Sequence, residues 1–195
     1  MEMVMRKTTL LAVVCLVLGA ASLRAADWGF SAGASMCLFR QHEVQDVYGS
    51  AFPVGVQVWT GWENWRISAG LEYLSDGGQA FPLDNGQDSF PLRLTVTSVP
   101  VAVYYQAWIK DVFLAAGGGI SYSRYEERWE DLDIVVKGQK WGPFLAFLGG
   151  YRLSLRWSIF ANIRYDPIPT GKSSVLVQEV RLGGLKIGAG VMFTL

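Results

Sequence analysis

From Trp28 to the C-terminus, apolar side chains fall on every second position in stretches of roughly ten residues, the period of strands with one greasy face. Trp28, Phe30, Ala32, Ala34, Met36 and Leu38 face one way, and Gly29, Ser31, Gly33, Ser35 and Cys37 the other. The same alternation predicts strands over Phe52–Thr60, Trp65–Leu74, Leu92–Tyr105, Val112–Arg124, Trp141–Leu153, Trp157–Asp166 and Arg181–Leu195. In the fourth of these the apolar phase changes from Leu92, Leu94 and Val96 to Val99, Val101, Val103 and Tyr105. A one-residue bulge near Thr97 and Ser98, beside Pro100, is the expected device for that change.

Polar stretches at 40–50, 75–91, 125–140 and 167–175 predict long loops, while Gly61–Asn64, Ala107–Asp111 and Ser154–Arg156 predict short turns. Long and short connections alternate, so about eight strands place both ends of the barrel domain beside the short turns. Tryptophans and tyrosines gather at those turns (Trp28, Trp62, Trp65, Tyr105, Trp108, Tyr151, Trp157), where an interfacial girdle belongs.

The last strand also carries the spacing polar-x-Gly-x-x-apolar-x-apolar, filled by Lys186, Gly188, Val191 and Phe193. This resembles the C-terminal signal by which outer-membrane β-barrels are handed to their insertion machinery, although such chains usually end on Phe and this one ends on Leu195. The chain is similar in architecture to the small barrels of the OmpX, OmpA-domain and OmpW kind. The resemblance implies an all-β, eight-stranded, antiparallel up-and-down transmembrane barrel over 26–195. It also implies an outer-membrane location, lipid as solvent, periplasmic termini, extracellular long loops and a monomer. A lipocalin is the soluble rival, but its first-strand GxW is missing, and the narrow face holds too many Gly and Ser for a solvated exterior.

The start of the chain agrees with export. Arg6 and Lys7 precede an apolar run from Leu10 to Leu18, and small residues lead to an expected cut after Ala25, a signal peptide over 1–25. After the cut 14 basic and 16 acidic residues remain, a balance that does not suggest nucleic acid. Cys37 is then the single cysteine, which excludes a disulfide framework.

An eight-stranded lumen is just wide enough for side chains. The inward phase predicts a lumen charge cluster of Arg66, Glu72, Arg152, Arg164 and Lys186, with Asn162 beside it. Glu72 is expected to be the shared partner of Arg164 and Lys186, because a lone charge there is costly. The expected work is surface interaction or envelope integrity through the loops, with a possible extracellular ligand or host surface as partner. No catalytic residue, cofactor or metal is expected. The alternative is a narrow OmpW-like channel for small apolar molecules. The outsider is a lipid A acyl-modifying enzyme using His42, Asp88 and Ser89, a trio that resembles the loop residues of the palmitoyltransferase barrel. The acidic run Glu126, Glu127, Glu130, Asp131 and Asp133 is expected to be a solvated face, while the interleaved Tyr125, Trp129, Leu132 and the run from Ile134 to Val136 predict that this loop extends the strands above the membrane.

Overall fold

The computed structural model describes residues 27–80, 89–132, 134–166 and 182–195. Its strands are β1 (Asp27–Phe39), β2 (Ser50–Ala51), β3 (Val54–Trp62), β4 (Trp65–Ala80), β5 (Phe90–Ile109), β6 (Val112–Trp129), β7 (Ile134–Arg152), β8 (Trp157–Asp166) and β9 (Gly184–Thr194). Each pairs antiparallel with its neighbour, and β1 pairs with β9, so eight strands close a barrel with β2 as a short addition to the top of β1. Closure lets paired strands satisfy one another's backbone without water, which is what a hydrocarbon environment demands. Following paired residues around the ring from Cys37 through Lys186, Arg164, Ala146, Gly117, Tyr104, Arg66 and Gly61 returns to β1 at Asp27. The register therefore shears by ten residues in one circuit, and the strands tilt by ~40°.

The burial pattern is inverted relative to a soluble protein. Leu145 and Phe147 are 64% and 62% exposed on the outside, while Arg164 and Asp166 are 3% and 0% exposed within. Aromatic pairs mark the limits of the greasy band: Trp65–Tyr105 and Trp157–Phe193 near the short turns, Tyr122–Trp141 toward the other end. From Trp65 to Tyr73 on β4 the rise is about 20 Å along the barrel axis, comparable with an outer-membrane hydrocarbon band.

Beyond that limit the phases exchange. Leu74, Leu92, Leu94, Tyr125 and Trp129 turn inward and form an ordinary hydrophobic core with Cys37, Phe39 and Leu182. This corrects the expected bulge at Thr97 and Ser98. The register of β5 is continuous against β6 and keeps one offset against β4 on both sides of a two-pair gap at Val99 and Pro100, so no extra residue is inserted, and Ser98 and Ser123 face each other inside at 2.8 Å. The surroundings change along β5, from lipid outside to an apolar core inside, while the backbone runs straight on.

Three of the predicted connections change with it. Strand structure runs on to Ala80 and from Phe90 in place of much of the 75–91 loop, and to Trp129 and from Ile134 in place of most of the 125–140 loop. Within 40–50 lies a helix, α1 (His42–Tyr48), whose Val44 and Tyr48 bury into the upper core. Two of the short turns are two residues long, with Glu63 and Lys110 at left-handed φ of 51° and 56°. The last strand begins at Gly184; Arg181, the expected signal peptide and the 167–175 loop lie outside the described residues.

Inward aromatic rings lie where a neighbouring strand has glycine: Trp59 over Gly29, Tyr104 over Gly117, Phe113 over Gly150 and Phe160 over Gly190. A ring resting on a glycine gives close packing in a lumen that could not hold a ring and a Cβ at the same point. Gly150 and Gly149 separate the effect. A Cβ on Gly150 strikes the Phe113 ring and the Ile159 carbonyl, whereas one on Gly149 meets only Leu114 at ordinary contact. Gly150→Ala is expected to destabilise the barrel by about 1–3 kcal/mol and Gly149→Ala by little, read from urea midpoints in lipid vesicles. Equal midpoints for the two variants would refute this account of the lumen.

Candidate functional site

The lumen is filled in tiers. Near the short turns Arg66 lies over the rings of Trp59 and Phe113, 4.2 and 5.5 Å from their centroids, with Met192 completing an apolar layer. Arg152 lies over Trp108 at 4.1 Å. Both cations thus find aromatic faces. Neither joins the predicted cluster, because Arg66 is six residues before Glu72 on β4, about 15 Å lower along the axis.

Higher in the lumen Glu72, Arg164, Lys186 and Asp166 form one network. Arg164 engages both oxygens of Glu72, Nη1 to Oε1 and Nη2 to Oε2, the second at 2.7 Å. Its Nη2 also donates to Asp166 Oδ2 at 2.7 Å. Lys186 Nζ donates to Glu72 Oε2 at 2.9 Å and reaches Asp166 Oδ2 at 3.4 Å. Two carboxylates therefore face two cations, and the fork of Arg164 stacks on Phe144 at 4.8 Å.

Glu72 stands on β4, four strands from β8 whichever way the ring is followed, so its bonds span the full diameter. Asp166 escapes the sequence reading because it stands at the expected end of its strand; counting in twos from Asn162 and Arg164 places it inward. Beside the network is a cavity of about 40 Å³ bordered by Ser31, Ser35, Gln57, Glu72 and Asn162, room for little more than one water. A concavity of about 740 Å³ lies on the outer wall between Phe30, Val56, Val58, Leu71 and Val191, where acyl chains, not solute, are the natural filling.

Above the charges comes the apolar core, closed by α1. Gly78 on β4 lets the helix end approach closely, since a Cβ there would meet Val47 O and the Tyr48 ring at 2.6 and 2.8 Å. His42 opens this helix and is exposed, as is Ser89 just before β5; Asp88 lies outside the described residues. Of the residues of the C-terminal spacing, Lys186 and Gly188 face the lumen, while Val191 and Phe193 face outward, Phe193 against Trp157.

The β6–β7 hairpin carries a second charged group outside the barrel. Glu126 bridges Lys137 at 3.1 Å and Arg128 at 3.3 Å, and Arg93 bridges Glu130 at 3.2 Å. Bonding from Lys137, with help from Arg128, holds the Glu126 carboxyl below the usual carboxylate range.

No protein-family model matches the sequence, and no curated protein matches it. Solved structures do match. The chain is similar to Neisserial surface protein A, at 14% identity over 86% of this chain and 96% of that one, with a TM-score of 0.58. It is similar to a major outer membrane protein from Thermus thermophilus, at 12% identity over 86% and 99%, with a TM-score of 0.57. A third is Ail, the attachment invasion locus protein of Yersinia pestis, solved with the heparin analogue sucrose octasulfate, at 12% identity over 86% and 97%, with a TM-score of 0.52. What is shared at such identities is the fold, and this chain has the fold of the small outer-membrane β-barrels.

Glu72 is the one member of the network that ties β8 and β9 to the opposite wall. Glu72→Ala is expected to cost about 3–5 kcal/mol, more than Lys186→Ala, in urea unfolding from vesicles. An unchanged midpoint would show that the bridge contributes nothing to stability. Because the folded value of Glu126 lies below its unfolded one, its pairing is present at neutral pH and fades as the pH falls through that folded value. In an NMR titration the Glu126 midpoint is expected below that of a free glutamate, and Lys137→Gln should raise it.

Proposed function

We propose that this chain is an integral outer-membrane protein with a closed lumen that works through its long-connection end, in surface interaction or envelope integrity. The observation that carries this reading is the stack of three obstacles on the barrel axis: the Arg66 layer, the cross-lumen ion network and the core under α1. A solute path would have to break four charge-assisted contacts, and the cavity beside them has room for little more than one water.

What remains for function is the part beyond the upper aromatics. There β5, β6 and β7 continue as a sheet to Phe90, Trp129 and Ile134, and among the described residues no strand pairs with 134–144 of β7 on the side away from β6. An unpaired edge with alternating side chains is a template for a partner's extended strand.

In this reading the short turns are periplasmic, the protein is a monomer, residues 1–25 are removed on export, and Lys186, Gly188, Val191 and Phe193 address the chain to the insertion machinery. It is not an enzyme, and neither metal nor cofactor enters. Two measurements test it. A cysteine placed at Leu132 should react with an impermeant maleimide on intact cells, and one at Leu155 only after permeabilisation; the reverse would invert the topology. Refolded protein that shifts between cold and boiled gel samples should release no more glucose from liposomes than protein-free vesicles do. Release altered by Glu72→Ala or Arg164→Ala would make it a narrow channel instead.

A further inference from the structure

We infer that the outer face of β5–β7, just beyond the Tyr122–Trp141 pair, is a binding rim for phosphorylated headgroups of the surrounding lipid leaflet. The inference rests on the membrane placement proposed above and deepens it by naming a ligand class.

The register sets out the rim row by row. Tyr122 pairs with Trp141, their rings 5.0 Å apart, and Tyr122 Oη donates to Gln139 Oε1 at 2.6 Å. The next outward row toward the hairpin is Thr97, Arg124 and Gln139; the one after it is Thr95, Glu126 and Lys137; then come Arg93 and Arg128. Aromatic rings of this kind sit at headgroup level, so a row two residues further on, about 5 Å higher, meets the phosphates.

The charges on this face do not cancel. Glu126 serves both Arg128 and Lys137, Glu130 serves Arg93, and Arg124 has no carboxylate partner among the described residues. Four cations thus face two carboxylates. The unpartnered one stands in the row next to the aromatics, flanked by the Thr97 hydroxyl and the Gln139 amide. A guanidinium presents two parallel N–H groups that match two phosphate oxygens, and neighbouring neutral donors can take a third. A host strand or peptide would not need surplus charge at this height, whereas an anionic leaflet does.

The test uses the full barrel in phosphatidylcholine vesicles, with spin-labelled phosphatidic acid or phosphatidylcholine as probe and the immobilised fraction as the readout. Phosphatidic acid should be preferred, and Arg124→Gln with Lys137→Gln should reduce the preference by about fivefold per cation at low salt. Arg124→Lys should retain part of it, because the charge stays while the fork is lost. The same preference in the double variant, or none in the parent, would overturn the inference. So would loss of the preference to excess inorganic phosphate at matched ionic strength, which would mean a free-anion site. Failure of the gel shift would instead strike the membrane reading itself, so the two failures are distinguishable.

Discussion

The contact on which the interior depends is the reach of Glu72 across the lumen to Arg164 and Lys186. Closing eight strands with a shear of ten leaves a bore that side chains fill, and charges placed there have no water to fall back on. The network answers this by neutrality: two acids, two bases, and a guanidinium used on two carboxylates at once. The lower tier answers the same problem differently, placing Arg66 and Arg152 on aromatic faces. Opposite walls are thereby joined through the middle as well as around the rim.

Outside, the rule is simpler. Lipid asks only for apolar atoms, so residues as large as Phe147 and as small as Ala161 serve equally on the outer wall, and variety there carries little information. Inside, each ring is matched to a missing Cβ on the next strand, as Phe113 is to Gly150, and the glycines spread along the chain become positional.

This division explains what can be read from the sequence. Strand phases are legible because lipid and lumen differ so sharply, and the pairing of Glu72 with two particular cations follows from phase and tilt. The helix at 42–48 is hidden because it is one short amphipathic element inside a polar stretch, with Val44 and Tyr48 its only buried side chains. Strand extension past Leu74 is hidden because Ser75, Asp76, Gly77, Gly78 and Gln79 look like loop on both faces once lipid is gone, whereas beyond Arg124 the interleaved Tyr125 and Trp129 already point to it. The apparent bulge on β5 comes from treating apolar phase as a property of the backbone, when it reports the solvent on each side. Arg66 and Arg152 fall in with the other charges because phase gives the face of a residue, whereas its height needs the register.

The exchange of phases on β5 has a mechanical consequence. Below it the greasy side looks out, above it the greasy side looks in, and the change is complete between Val96 and Val99. A chain built this way has one resting depth in a bilayer. Sinking by a single residue pair would draw Arg124 toward hydrocarbon, and rising by one would lift the Tyr122 and Trp141 rings out of the headgroups. The barrel is therefore keyed to its membrane in the vertical direction as firmly as its register keys it around the circumference.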